Sequence, residues 1–301
     1  MSSDPNLSEI HLNPQSPLRP AIKAWEYYLQ DQGRSTYTIK AFTGDLQLLV
    51  DFLPPDRTLG SVTTRELSQF TEWLQHGRNV PCSPKSLSRR VTSVKSFFRW
   101  LVKYGILTTD PAEKLLQQSV ISPLPEVLTV AETEKLLETA LQKRKSAKPD
   151  ARPYTLLKLL LETAIKKGEC LGIHLNHIDL ESPDGPILFV RYASPSNRYK
   201  ERKLPLSEDW VAACQEYLEQ YKPVDQLFYW SPRRLEYLLE DLGKDAGLSK
   251  HVSFDMCRWT SVLNDYRSGL EHDKIRQKLG ISKIQWREIN MKLRQLSEAK
   301  P

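Results

Sequence analysis

From Pro17 onward, apolar residues recur three and four positions apart in short blocks, and each block is closed by a glycine, a proline or a fresh capping signal. Punctuation of that kind permits short amphipathic helices packed around shared cores and little else. Ile22, Trp25, Tyr28 and Leu29 form a first stripe that opens at Pro17 and ends at Gly33. Ser35 or Thr36 caps a second, carried by Ile39, Phe42, Leu46, Leu49 and Phe52 and stopped by Pro54 and Pro55. Thr63-x-x-Glu66 and Thr129-x-x-Glu132 read as capping boxes, in which side chain and backbone of the first turn satisfy one another. Ser83-Pro84 opens a long helix to Tyr104, and Asp110-Pro111 opens a short one. Helical pattern returns over Tyr154–Glu169. The period then drops from about 3.6 to 2, so that 178–180, 187–192 and 202–206 read as strands. Ser207 and Ser231-Pro232 start further helices, and two or three more follow. The expected fold class is mainly α (α+β): a helical N-terminal domain, then a mostly helical domain with one small antiparallel sheet.

A length of 301 residues fits two domains. The organisation expected is a flexible tail at 1–16, a helical domain at 17–117, a linker at 118–128 holding Pro123 and Pro125, and a second domain at 129–301. With 40% hydrophobic and 27% charged residues, the chain belongs among globular proteins rather than disordered ones. No run of 18 apolar residues occurs, which excludes a transmembrane helix and a membrane partner. The first twenty residues lack the basic and apolar regions of a signal peptide, so a cytoplasmic location is expected, on the nucleoid if the chain binds DNA. Cys82, Cys170, Cys214 and Cys257 are scattered, which argues against disulfides and structural zinc. His174-x-x-His177 has no third ligand nearby, so no metal site and no cofactor are expected.

With 43 Lys and Arg against 37 Asp and Glu, the net charge of +6 is informative only if it is clustered. It is clustered over 84–104, where Lys85, Arg89, Arg90, Lys95, Arg99 and Lys103 meet no acid within the helix. A helix of that length spans several phosphates of a duplex. Lys40 in the second stripe and the basic segments 143–153 and 198–203 add to the same reading.

These pieces stand in an order that resembles the tyrosine recombinases, or phage integrases. TYTIKAFTGDLQLLVDFL and SPKSLSRRVTSVKSFFRWLVKYGILTTDPAEKL look like their core-binding domain. LLKLLLETAIKKGECLGIHLNHIDL, KERKLPL and VSFDMCRWTSVLNDYRSGLEHDKIRQKLGIS look like their catalytic domain. The resemblance implies a metal-free chemistry in which a tyrosine attacks a DNA phosphate. Two arginines then hold the developing charge, a turn lysine protonates the leaving oxygen, and two further His or Trp positions assist.

Carried over by position, the first arginine falls on Lys166, with Lys167 one residue away. The turn lysine falls on Asn197, within reach of Arg198 or Lys200. The histidine of the His-x-x-Arg motif falls on Asp255 and its arginine on Arg258, the one position retained. The second histidine falls on Ile281 and the nucleophile on Asn290. No tyrosine follows Tyr266, so no shift of register supplies one from the final helix.

The resemblance therefore implies a duplex DNA-binding protein that lacks the nucleophile and serves an architectural, regulatory or accessory role in recombination. Its expected contacts are Lys40, Lys85, Arg89, Arg90, Lys95, Arg99, Lys166, Lys167, Arg198, Lys200, Arg202 and Arg258. Two alternatives stand beside it: an active recombinase with a displaced nucleophile such as Tyr266, and a protein-interaction scaffold that kept the fold. Arg258 is expected to pair with Asp255 one turn earlier. The amphipathic helix at 285–300 is expected to dock on its own domain or to mediate self-association or contact with a related recombinase.

Overall fold

A computed structural model describes residues 11–117, 123–183 and 185–298, and the chain divides into two compact units, 1–122 and 123–301. Residues 1–10 of the expected tail and 118–122 of the expected linker lie outside the described residues.

In the first unit the capping signals act as read. Helix α1 (Leu18–Asp31) follows Pro17, and α2 (Thr36–Phe52) is capped by Ser35, whose hydroxyl accepts the Thr38 N–H at 3.2 Å. The Thr63–Glu66 box opens α3 (Thr64–Glu72), and Ser83 with Pro84 at N1 opens α4 (Pro84–Lys103). Their stripes bury Trp25, Leu46, Leu49, Phe70, Phe97 and Phe98 in one core. Trp25 meets Phe97 edge-on at 5.5 Å and stacks on Phe42 at 5.9 Å. No helix forms after Asp110. Its carboxylate instead accepts the Ala112 N–H at 2.8 Å, and the Thr64 hydroxyl donates to the Pro111 carbonyl at 2.8 Å, which fixes 111–114 as a turn. The stretch 13–16 is tied down, since Gly60 donates to the Pro14 carbonyl at 2.7 Å and Leu59 to that of Ser16 at 3.0 Å.

In the second unit α5 (Val130–Arg144), α6 (Arg152–Thr163), α8 (Glu208–Tyr221) and α9 (Pro232–Asp245) surround a core built on Leu156, Leu160, Trp210, Tyr217 and Leu239. Strands β1 (Ile178–Asp179), β2 (Ile187–Val190) and β3 (Arg202–Pro205) form an antiparallel sheet in sequence order, with Leu188 opposite Leu204. Residues 123–128 run into this unit, where the buried Leu128 donates its N–H to the Thr260 hydroxyl at 2.9 Å.

The helix expected over Tyr154–Glu169 is two pieces. Ala164 turns left-handed at φ 51° and ends α6, Lys166 is extended, and α7 (Lys167–Leu171) starts in a new direction. The segment 143–153, basic by composition, spends Lys143, Arg144 and Arg152 on internal ion pairs and leaves Lys145 and Lys148 exposed. Arg144 is buried and forks onto Glu216 with two bonds of 2.7 Å, and Arg152 pairs with Asp150 at 2.6 Å.

Three helices close the unit: α10 (Phe254–Arg267), α11 (His272–Leu279) and α12 (Lys283–Glu298). Helix α12 lies on its own unit. Leu293 is buried and Trp286, Ile289 and Leu296 pack around Val262, Leu263 and Ile275. No helix among the described residues is long and apolar enough to cross a membrane.

Candidate functional site

The break at Ala164 creates the site. By stopping α6 two residues before Lys166, it turns Lys166, Glu169 and the start of α7 toward the β2–β3 connection and the end of α11. Glu169 is the anchor. Its side chain is 2% exposed and takes a two-pronged ion pair from Arg202, with Nη1 to Oε1 at 3.1 Å and Nη2 to Oε2 at 2.9 Å. The Tyr192 hydroxyl donates to Oε1, and the Lys166 backbone N–H donates to Oε2 at 2.8 Å. Burial pushes this carboxyl up, but the Arg202 hydrogen bonds and charge, with the Tyr192 and Lys166 donors, outweigh it and hold Glu169 at about 2. Burial and the Glu169 hydrogen bond raise the Tyr192 phenol.

Both arginines also hold backbone. Arg202 Nε donates to the Lys278 carbonyl at 2.7 Å and Nη1 to that of Lys200 at 3.1 Å. Arg258 donates through Nη1 to the Ala164 carbonyl and through Nη2 to that of Leu279 at 3.0 Å. Two guanidiniums therefore cap the orphan carbonyls at the end of α11. Gly280, left-handed at φ 60°, makes room for Arg202: a Cβ there would lie 2.5 Å from its Nη1. Burial lowers Arg258 to about 10, with Glu169 opposing and Arg202 adding to the shift.

The expected pairing of Arg258 with Asp255 is not formed. Asp255 is exposed on the first turn of α10, and the arginine turns inward to the two carbonyls.

Lys166 is half-buried, and its ammonium makes no hydrogen bond or ion pair with the described residues. Burial lowers it, Glu169 opposes, and the charges of Arg258, Arg202 and Lys200 lower it further. Lys200 donates to Asn197 Oδ1 at 2.8 Å, so the turn carries an amide bonded to a lysine three residues on. Lys166, Lys200, Arg202 and Arg258 thus share a pocket of field with Glu169 as the one carboxylate prominent among them. Such an excess of half-buried positive charge favours an anion.

The remaining expected residues are placed as follows. Arg198 is exposed in the 195–200 turn, and Lys167 is ion-paired with Glu236 at 2.6 Å. Ile281 is buried just after Gly280. Asn290 lies on α12 with Oδ1 buried and unbonded among the described residues. In the first unit Lys40, Lys85, Arg89 and Arg99 are exposed. The acid-free helix α4 is not free of acids in space. Asp45 of α2, buried, pairs with Arg89 and lies 3.5 Å from Arg90 Nε, and the Ser93 hydroxyl donates to it at 2.8 Å. Lys95 is half-buried and donates to the Leu115 carbonyl at 2.8 Å.

Glu169, Tyr192, Asp45 and Gly280 were not singled out by sequence reasoning. Asp45 carries a signal, since it is the acid that falls three residues after Phe42 and four before Leu49, on the apolar stripe. Glu169 also has one, three residues after Lys166 at a helix start.

Residues 126–290 match the model of the phage integrase family, and residues 22–105 that of the phage integrase N-terminal SAM-like domain. The chain belongs to the phage integrase family. It is similar to the tyrosine recombinase XerD of Listeria innocua, 23% identical over 283 residues, which cover 87% of this chain and 90% of that one. Among solved structures it resembles the XerH site-specific recombinase bound to a palindromic difH substrate in a post-cleavage complex, with a TM-score of 0.70 at 17% identity over 93% of this chain and 82% of that one. A lambda integrase dimer bound to a COC′ core site matches with a TM-score of 0.69 at 15% identity, over 94% and 79% of the two chains.

Proposed function

We propose that this protein binds duplex DNA through the recombinase fold and grips a backbone phosphate without cutting the strand, acting as an architectural, regulatory or accessory member of its family. One observation carries the proposal: a cationic pocket survives around Glu169 while the final helix offers no phenol to attack a phosphate. Lys166, Asn197, Asp255, Ile281 and Asn290 stand where the family pattern has arginine, lysine, two further catalytic groups and tyrosine, and Asn290 has no ionisable oxygen. Arg258 and Arg202 fix the floor of the pocket, and Lys166 and Lys200 supply the mobile charge for a phosphodiester. Lysine holds such a group as a point charge, without the forked grip of arginine, which suits binding better than transition-state stabilisation.

A displaced nucleophile draws no support from Tyr266. Its ring stacks on His272 at 5.2 Å, and it lies eight residues beyond Arg258, about 12 Å along α10. In the first unit Lys40, Lys85 and Arg99 supply exposed charge for the sugar-phosphate backbone, while Arg89 is held by Asp45.

Mobility shift with a duplex at about 100 mM salt tests the binding half, with affinity expected to fall steeply as salt rises. A nicked suicide substrate tests the other half: no denaturation-resistant adduct is expected. Absence of duplex affinity overturns the first part, and a covalent adduct overturns the second.

A further inference from the structure

A second recess of about 650 Å³ opens beside the Glu169 cluster, lined by Gly168, His174, His177, Arg191, Arg198 and Glu201 among others. We infer that it binds a phosphoryl group of the size and charge found on a nucleotide, with Arg191 and Arg198 as its guanidinium ligands and His177 as a further donor.

Both arginines are exposed, and neither forms an ion pair with a carboxylate of the described residues. Arg191 follows β2 and Arg198 sits in the 195–200 turn, so the β2–β3 connection carries both. Glu169, on the same wall, is already neutralised by Arg202. His177 Nδ1 accepts the His174 N–H at 3.3 Å, which leaves the ring proton on Nε2 as a donor. Burial, His174 and Arg191 lower His177, so it donates as the neutral ring at neutral pH. Asp225, bonded to His174 Nδ1 at 2.8 Å, is not among the residues that line the recess. Glu201 is the remaining carboxylate on the rim. It receives the Tyr192 N–H at 3.0 Å and presents an acceptor suited to a sugar hydroxyl. Paired forks with one acceptor opposite match a phosphorylated sugar better than a simple inorganic ion. The volume exceeds what one oxyanion fills.

Titration calorimetry of the full chain with ADP tests the inference, and its readout does not depend on duplex binding. Saturable binding is expected, weakened roughly tenfold or more in Arg191→Gln/Arg198→Gln and unchanged in Lys85→Ala/Arg99→Ala, with thermal melts confirming that each variant folds. Pyrophosphate is expected to displace ADP. A duplex that also displaces ADP assigns the phosphoryl group to the DNA backbone, whereas simultaneous binding assigns it to a free nucleotide. The inference is overturned if the wild-type chain shows no saturable ADP binding, if the double glutamine variant binds ADP as well as wild type, or if pyrophosphate fails to compete.

Discussion

Glu169 concentrates the electrostatics of the second unit in one carboxylate. Its folded value of about 2 lies below the ordinary 4.5, so its stabilising effect is complete above pH 4.5 and fades as pH falls toward 2. That linkage amounts to about 3 kcal/mol. Glu169→Gln is expected to lower the melting temperature near neutral pH and to flatten its decline between pH 5 and 3, which calorimetry against pH checks; an unchanged acid slope contradicts the role. Asp45 works the other way. Burial raises its carboxyl in spite of Ser93, Arg89 and Arg90, so it is held against a desolvation cost. Asp45→Asn is expected to cost about 2 kcal/mol by leaving its partners imperfectly satisfied. It should also steepen the salt dependence of duplex binding, because Arg89 is released toward solvent. Denaturant melts and binding titrations read the two effects separately.

Among the elements, the end of α11 is tightly held. Two arginines cap it, and Gly280 is left-handed with Arg202 against it, so Gly280→Ala combines a strained backbone with a Cβ 2.5 Å from Arg202 Nη1. A loss of about 2–3 kcal/mol is expected, larger than for an alanine placed at an ordinary left-handed cap, and urea unfolding measures it. Local signals made most helices readable: Ser35, Thr63, Ser83, Thr129, Ser207 and Ser231 act only on their own first turns, so a linear reading suffices. Ala164 was opaque because alanine is a strong helix former, and what ends α6 is tertiary: its carbonyl is taken by Arg258, 94 residues on. Asp110-Pro111 misled for the opposite reason, since an acid before proline opens turns as well as helices. The basic face of α4 was overcounted because its neutralising acid, Asp45, sits on another helix.

At the scale of the whole molecule, phosphate contacts in each unit should add independently to the counterion released. Lys166→Ala/Lys200→Ala and Lys85→Ala/Arg99→Ala are each expected to reduce the salt slope of duplex binding by about 2, one per contact removed. Equal slopes for wild type and variants would remove those residues from the interface. The family was legible from the order of its segments, but the use of each cation was not, because composition does not say whether a charge faces a carbonyl, an acid or solvent. Helix α12 bears on assembly. Its apolar stripe is already seated against Val262, Leu263 and Ile275 of the same chain. With that stripe occupied at home, copies arriving side by side on one duplex should load one after another without sharpening the isotherm, whereas cooperative loading would point to the exposed Ile284 and Met291 instead.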